Sequence, residues 1–374
     1  MPILPEDLVE LFDAALAADY TRVRRIGSRI AKALGDEDAD TAKRLRTLLR
    51  RRGVPLRASG YAEALPVDAK SRLPLIEEQP WPTTPMFLDE TGRNVLTSFL
   101  SDVEHLELLS AKGLATRLCM LLAGPPGTGK SLLAGHIAAQ LNRPLYVVRL
   151  DSVISSLLGD TAKNIRSVFD FVAMREGVLF LDEMDAVAKL RDDQHELGEL
   201  KRVVNTVIQG LDALDDRAVV VAATNHPQLL DPAIWRRFPY KLDLGAPDFA
   251  VREDLWRHFL TNDDETSPIP ALLGRISDGL SGADIRNLAL ASRRHAVLSE
   301  QPLDTGSVAW AALQKDKGRL TLPERTGLSS ERKKALAQSL VKDFNISQAD
   351  VARLLNVSRQ AVSGYLKDDP HGDG

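Results

Sequence analysis

The apolar positions of this chain form two alternating patterns. Unbroken apolar runs, which are typical of buried parallel strands, occupy residues 118–123, 145–148, 178–181 and 219–223. Before and between these runs, apolar residues recur at helical spacing, most clearly over 94–110, which predicts amphipathic helices. Strands that alternate with helices in this way predict an α/β fold built on a parallel sheet.

Helical periodicity without strands continues on both sides of this region. We predict a helical bundle over 1–60, a proline-rich linker over 61–89, the α/β region over 90–246, a helical subdomain over 247–318 and a helical tail over 328–374. We predict three helices in the bundle, and the third, which follows the acidic segment at 36–40, is basic and could dock an acidic protein partner. The alternative is an ordinary solvated helix face.

A glycine-rich loop follows the first apolar run and precedes a predicted helix. Its glycines let successive backbone N–H groups face one point, and the helix adds its positive N-terminal end, so the loop can hold phosphates. The spacing G-x-x-x-x-G-K-S lets Lys130 reach the β- and γ-phosphates and Ser131 bind Mg²⁺, which predicts ATP and Mg²⁺ as cofactors. The loop residues assigned to the nucleotide are Gly124, Pro125, Pro126, Gly127, Thr128, Gly129, Lys130 and Ser131.

The third apolar run ends in two carboxylates, Asp182 and Glu183. Because buried charge is costly, they are expected at the carboxyl end of a parallel strand, in the crevice where α/β ligands bind. We predict that Asp182, with Ser131, holds Mg²⁺ and that Glu183 polarises the water that attacks the γ-phosphate. Asn225 follows the fourth run and could orient that water; the alternative is a turn residue.

Composition narrows the class of protein. The 374 residues carry a net charge of −4 and a pI near 6.0, without the basic excess of a dedicated nucleic-acid binder. Cys119 is the only cysteine, which excludes an intrachain disulfide and predicts a small buried residue in a reducing compartment. No apolar run approaches the ~20 residues of a membrane helix. We therefore expect no membrane association and a cytoplasmic location.

Five motifs stand in the order in which the AAA ATPases carry them, and over residues 90–316 the chain resembles this family. The motifs are the phosphate loop, Leu181-Asp182-Glu183, Ala223-Thr224-Asn225, residues 230–238 and Ser281-Gly282-Ala283-Asp284-Ile285. The resemblance implies a P-loop NTPase sheet, a helical lid over adenine, and a ring, usually a hexamer, with ATP between subunits. It also implies that Arg236 and Arg237 are arginine fingers that reach the neighbour's γ-phosphate; the alternative is two surface arginines.

Other features qualify this resemblance. The N-terminal bundle is similar in size and placement to adaptor domains of katanin- and spastin-like members. Leu157-Leu158-Gly159 resembles the first pore loop without the aromatic residue of threading relatives, which leaves threading of a polymer open. Residues 191–199 would form the second pore loop. The lid motif resembles the clade that lacks a lid arginine, and we interpret Arg286 as structural.

The tail resembles a bacterial DNA-binding helix-turn-helix. Ala352, Asn356 and Val362 have its spacing, which combines a small residue at a helix crossing, a turn residue and a β-branched core residue. When such a motif binds DNA, its second helix enters the major groove, where an arginine can form two hydrogen bonds with guanine and a glutamine can form two with adenine. The alternative is a three-helix bundle that contacts protein or stabilises a ring. The predicted DNA-contact residues are Ser358, Arg359, Gln360, Ser363 and Lys367.

These features predict a homo-oligomeric AAA ATPase, a hexamer, that couples Mg·ATP hydrolysis to macromolecular remodelling and is tethered to DNA by its tail. Two alternatives stay open. One is a protein unfoldase or disassembly motor whose tail contacts only protein. The other is a DNA-bound regulator in which ATP switches the assembly state.

Overall fold

The structure is a computed structural model, and the chain divides into two compact units, Met1–Pro66 and Val67–Gly374. The described residues are 7, 9–10, 26–31, 34, 41–42, 65–68, 71–150, 161–173, 175–189, 197–314 and 327–367. The predicted first pore loop, 157–159, lies outside them, as do residues 191–196 of the predicted second pore loop (191–199) and most of the basic helix of the N-terminal bundle.

In the first unit, residues 26–31 are helical. Ile26 and Ile30 are buried, as their helical spacing predicts. Arg29, on the same helix, pairs with the carboxylates of Asp7 and Glu10 at 2.6 Å each. These pairs are consistent with the amphipathic helices predicted for this segment.

The described part of the second unit contains a six-stranded sheet. Its strands are β1 (Glu77–Gln79), β2 (Cys119–Ala123), β3 (Leu145–Arg149), β4 (Val178–Asp182), β5 (Val219–Thr224) and β6 (Tyr240–Asp243). The order across the sheet is β1-β3-β4-β5-β2-β6, with β1 antiparallel to β3 and the other neighbours parallel. The predicted α/β parallel sheet is confirmed, and its four predicted strands are β2 to β5.

Apolar patterning does not predict the two outer strands. β1 and β6 are only 3 and 4 residues long, and both carry charged side chains such as Glu77 and Lys241. Each strand pairs on one side only. Charges on such an edge oppose pairing with another sheet, which explains why these short strands are polar. β1 lies within the segment predicted as a linker.

Seven α-helices and one short 3₁₀ helix (Pro227–Leu229) accompany the sheet in the described residues. The α-helices are α1 (Glu90–Glu104), α2 (Leu106–Ala111), α3 (Lys130–Gln140), α4 (Thr161–Ala173), α5 (Ala186–Lys189), α6 (Leu197–Ala213) and α7 (Pro232–Trp235). Phe99 of α1 and Ile137 of α3 pack in one buried cluster with Leu122 of β2 and Phe180 of β4. This core fixes the strands whose carboxyl ends carry the predicted site.

Seven more helices follow β6. They are α8 (Phe249–Thr261), α9 (Ile269–Ile276), α10 (Gly282–Ser299), α11 (Thr305–Leu313), α12 (Ser330–Lys342), α13 (Gln348–Leu355) and α14 (Arg359–Lys367). Among all the described helices, none combines the length and apolar character needed to cross a membrane.

The predicted lid and the predicted tail share one hydrophobic core. Trp256 and Leu288 of the lid lie in the same buried cluster as Leu340 and Leu354 of the tail. Thr305 Oγ1, at the start of α11, donates to the carbonyl oxygen of Leu354 in α13 at 2.5 Å. The helices α12 to α14 are therefore packed against the lid.

The turn between α13 and α14 has the geometry expected from its residues. Asn356 adopts φ 51° and ψ 50°, the left-handed conformation. Ala352 and Val362 are buried, and the Ser358 hydroxyl accepts a hydrogen bond from Ala361 N at 3.1 Å, which caps α14. This local geometry is compatible with a helix-turn-helix, whereas DNA binding stays a prediction.

Candidate active site

The glycine-rich loop leaves β2 at the carboxyl edge of the sheet. Gly124 has φ 145°, and a Cβ atom there would lie 2.1 Å from the carbonyl oxygen of Leu244, which follows β6. Gly127 has φ 81°, and its Cβ would meet the Ser281 hydroxyl of the lid at 2.8 Å. A side chain at either position would disturb the backbone path, because the loop is packed between sheet and lid.

Lys130, the first residue of α3, is buried at the centre of this loop with 8% of its surface exposed. Its Nζ atom donates to the carbonyl oxygens of Gly124 and Pro125, both at 2.8 Å. Burial lowers the pKa of Lys130, and the carboxylates of Asp182 and Asp185 partly oppose this shift. The loop therefore holds the ammonium group of Lys130 beside the site predicted for phosphates.

The carboxylates at the end of β4 lie beside the same loop. Ser131 Oγ donates to Asp182 Oδ2 at 3.4 Å, and Glu183 N donates to Asp182 Oδ1 at 2.9 Å. Glu183 is exposed and has φ 57°, a left-handed conformation that is unusual for a residue other than glycine. Strain of this kind is concentrated at functional positions, where it aims a side chain.

Asp185 ties the tips of β4 and β5 together, and the motif-based prediction did not include it. This carboxylate is 1% exposed, and its Oδ1 atom accepts from Thr224 Oγ1 at 3.2 Å and from Asn225 N at 3.1 Å. It therefore positions Asn225 relative to Glu183. The sequence does contain a signal for this residue, because Asp185 is the third carboxylate after the apolar run, in Leu-Asp-Glu-Met-Asp.

A cavity of about 490 Å³ brings together most of the residues predicted to hold the nucleotide, although Gly124 and Pro125 do not line it. The loop from Pro126 to Ser131 lines it, with Asp182, Glu183 and Asn225. The lid closes a further side, and Ala283 N, in the first turn of α10, donates to Gly127 O at 3.0 Å. This volume lies within the range of small-ligand sites.

The segment before α1 completes the cavity, although proline content assigned it to a linker. Residues 84–89 line the cavity. Trp81 Nε1 donates to Arg143 O at 3.0 Å, which holds the segment against the residues just before β3. His136, from α3, contacts Thr84 O through Nε2 at 2.8 Å.

The donor set fits Mg²⁺. Ser131 and Asp182 offer a hydroxyl and a carboxylate oxygen, the hard ligands that this ion prefers. In the part of the chain that is described, no group of three or more His, Cys, Asp or Glu side chains could hold a metal alone. The pair therefore suits an ion that completes its coordination with phosphate oxygens and water.

Comparison with known proteins agrees with this geometry. Residues 120–246 match the family model of the ATPase family associated with various cellular activities (AAA). This chain carries an AAA ATPase domain. The matched residues contain the phosphate loop, both carboxylates of β4, Asn225 and the two arginines after α7.

Similar proteins carry the same domain. The chain is 44% identical over 164 residues to an AAA family ATPase of Sinorhizobium fredii, covering 44% of this chain and 50% of that protein. It is 33% identical over 190 residues to a 26S proteasome regulatory subunit homolog of Methanothermobacter marburgensis, covering 49% of this chain and 50% of that protein. It is 35% identical over 202 residues to the ATP-dependent zinc metalloprotease FtsH 3 of Sphaerobacter thermophilus, covering 51% of this chain and 40% of that protein. The matches thus span about half the length of these relatives.

The two candidate arginine fingers of the AAA domain lie outside the cavity of their own chain. Arg236 is exposed. Arg237 pairs with Asp212 at 3.0 Å, and Arg117 pairs with the same carboxylate at 2.7 Å. Arg237 and Arg117 hold the pKa of Asp212 below its usual value.

The predicted DNA-contact residues lie on and just before α14. Arg359, Gln360 and Lys367 are exposed, and Ser363 is half-buried. The hydroxyl of Ser358 is engaged in capping the helix. Residues 359, 363 and 367 are spaced by four and therefore share one helix face.

Cys119 is buried in β2, which confirms its predicted role as a small apolar residue. Burial raises the pKa of its thiol to about 12.

Proposed function

We propose that this chain hydrolyses Mg·ATP as a homo-oligomeric, hexameric AAA ATPase and uses hydrolysis to remodel a macromolecule while its C-terminal helix-turn-helix binds DNA. The observation that carries ATP hydrolysis is the meeting of Lys130, the Ser131–Asp182 pair and Glu183 around one cavity. These groups come from the start of α3 and from the end of β4, at the carboxyl edge of the parallel strands.

Each side chain has a role that its position supports. The Lys130 ammonium donates to phosphate oxygens, and Ser131 with Asp182 holds Mg²⁺. When bound, Mg²⁺ offsets the charge of the β- and γ-phosphates. Glu183 accepts a proton from the attacking water, and the side-chain amide of Asn225, whose backbone N–H donates to Asp185, orients that water. The lid excludes solvent by closing over the loop.

The proposed ring follows from the two arginines. Neither Arg236 nor Arg237 lines its own cavity, so each would act at the γ-phosphate of a neighbouring subunit. Mixing Arg237→Ala chains with Glu183→Gln chains tests this, because a mixed interface then contains an intact Glu183 and an intact arginine. Recovery of ATPase activity supports action across the interface, and absence of any recovery opposes it.

Two different observations bear on which macromolecules this chain binds. The exposed arginine, glutamine and lysine of α14 favour DNA as a tether. The names of two relatives, a proteasome regulatory subunit homolog and an ATP-dependent metalloprotease, favour a protein substrate. The two are compatible if the tail positions the ring and the ring acts on protein.

One experiment separates the candidates. ATPase activity and ring formation of the full chain are measured with duplex DNA, with an unfolded polypeptide, and with neither. Stimulation by DNA that is lost in Arg359→Ala/Gln360→Ala supports the tether. Stimulation by polypeptide alone supports a protein unfoldase whose tail contacts only protein. Assembly that follows ATP and DNA without stimulation by polypeptide supports the regulatory switch.

A role for the first unit is also a proposal. Its basic helix would dock an acidic protein partner, and deletion of residues 1–60 is expected to spare ATP hydrolysis while losing that partner in a pull-down. Recovery of the same proteins by the shortened chain would oppose the proposed docking.

A further inference from the structure

The lid contributes a positive charge to the ATP cavity that the proposed mechanism does not use. Arg286 lies in α10 and lines the cavity together with Gly282 and Ala283. The resemblance of the lid motif led us to interpret it as structural, whereas its side chain is exposed rather than packed in the lid core. In the described part of the chain, no carboxylate forms an ion pair with its guanidinium.

The position of Arg286 along α10 shows which part of the cavity it faces. The first turn of the helix is anchored at the phosphate loop by the bond from Ala283 N to Gly127 O at 3.0 Å. Arg286 lies three residues later, about 4.5 Å farther along the helix axis and on the same face. It therefore stands one turn beyond the contact with the loop.

An aromatic ring of the lid lies near the guanidinium. Its Cζ atom lies 6.0 Å from the centroid of the Phe259 ring. Phe259 lines the same cavity, as do Val251 and Leu255 of α8. The other charged groups of the lining are Lys130 and the carboxylates at the end of β4, which lie beside the phosphate loop, and the carboxylates of Asp89, Asp243 and Asp248. An apolar wall next to a planar cation suits a purine ring better than a phosphate chain.

We propose that Arg286 binds the nucleotide at its base, with the guanidinium plane stacked on the face of the adenine ring. A guanidinium can stack on an aromatic face and remain charged, and it is less strongly hydrated than an ammonium group. The contact does not involve the phosphates, so ATP and ADP gain from it equally. This inference rests on the ATP binding proposed above and adds a residue that recognises the base.

The test is calorimetric titration of the full chain with ATP and with ADP, in a Glu183→Gln background that keeps ATP intact. Arg286→Ala is expected to weaken both nucleotides by the same factor, about fivefold to thirtyfold, the range of a partly desolvated cation–π contact. Arg286→Lys, which keeps the charge but not the plane, is expected to fall between the parent and Arg286→Ala.

Arg294→Ala is the matched control, since this arginine is exposed on the same helix but does not line the cavity. It is expected to leave both affinities unchanged. Unchanged affinities in Arg286→Ala would overturn the inference, and so would a loss confined to ATP, which indicates a phosphate contact. A parent chain that binds neither nucleotide would contradict the proposed function itself, so the two failures are distinguishable.

Discussion

In the ATP site the side chains are held from several sides, whereas on α14 three of the predicted DNA-contact residues, Arg359, Gln360 and Lys367, are exposed. Lys130 donates to two loop carbonyls, and Asp182 accepts from both Ser131 and the backbone of Glu183. Across the described residues, no hydrogen bond or ion pair fixes the side chain of Arg359 or Gln360. The first region is preorganised, whereas the proposed binding of DNA would have to order the side chains of the second.

This difference predicts how each region responds to substitution. A preorganised site performs chemistry through exact placement, so one altered group has a large effect. An exposed helix face binds through contacts that must first be ordered, so each residue contributes less and the number of copies in a ring matters more. The variants below test this contrast, beginning with the largest expected effect.

Glu183→Gln is expected to lower kcat about 10²- to 10⁴-fold while ATP still binds, because the amide cannot accept a proton from water. Phosphate release and calorimetric ATP binding measure the two effects. The matched control is Glu176→Gln, an exposed residue before the opposite end of β4, which is expected to keep normal turnover. Undiminished turnover in Glu183→Gln would contradict its role as the base.

Leu354→Ala is expected to lower the free energy of unfolding by about 2–5 kcal/mol, because the side chain is fully buried in the core that joins lid and tail. Thermal unfolding with and without ATP measures the change. Leu298→Ala is the control, since this leucine is 77% exposed and is expected to change stability by less than about 0.5 kcal/mol. A stable lid with only a melted tail would show that the two regions fold independently.

Arg359→Ala/Gln360→Ala is expected to weaken duplex DNA binding by about 10- to 100-fold, because each residue can make one base contact. Fluorescence anisotropy at several salt concentrations measures it, and Lys367→Ala should lower the salt slope by about one phosphate contact. Arg353→Ala, an exposed arginine of α13 paired with Asp350, is the control. Equal binding by the double variant would remove DNA from the proposed function of α14.

Asp212→Asn is expected to have the smallest effect. It releases Arg237 from an exposed ion pair that contributes at most about 1 kcal/mol, so ATPase activity should rise by no more than about fivefold if that arginine acts on a neighbour. Asp216→Asn, an exposed carboxylate nearby in sequence, is the control. A fall in activity to the level of Arg237→Ala would show instead that Asp212 positions the arginine for its function.

Local sequence spacing predicts a site residue well when its position depends only on one strand and on the turn that follows that strand. The phosphate loop, Asp182, Glu183 and Asn225 all follow buried strands. Because parallel strands bring their carboxyl ends to one edge, linear motifs were enough to assemble this site. The sequence by itself therefore determined the α/β sheet, the AAA motifs and the chemistry that they offer.

Only the tertiary structure decided what surrounds those motifs. The packing of the tail on the lid, the bond that Asp185 makes across two strands, the pairing of Arg237 with Asp212 and the entry of Arg286 into the cavity all join residues far apart in sequence. Such contacts leave no periodic pattern in the sequence, because they depend on how complete helices and strands pack against one another. They become visible only when the whole chain has folded.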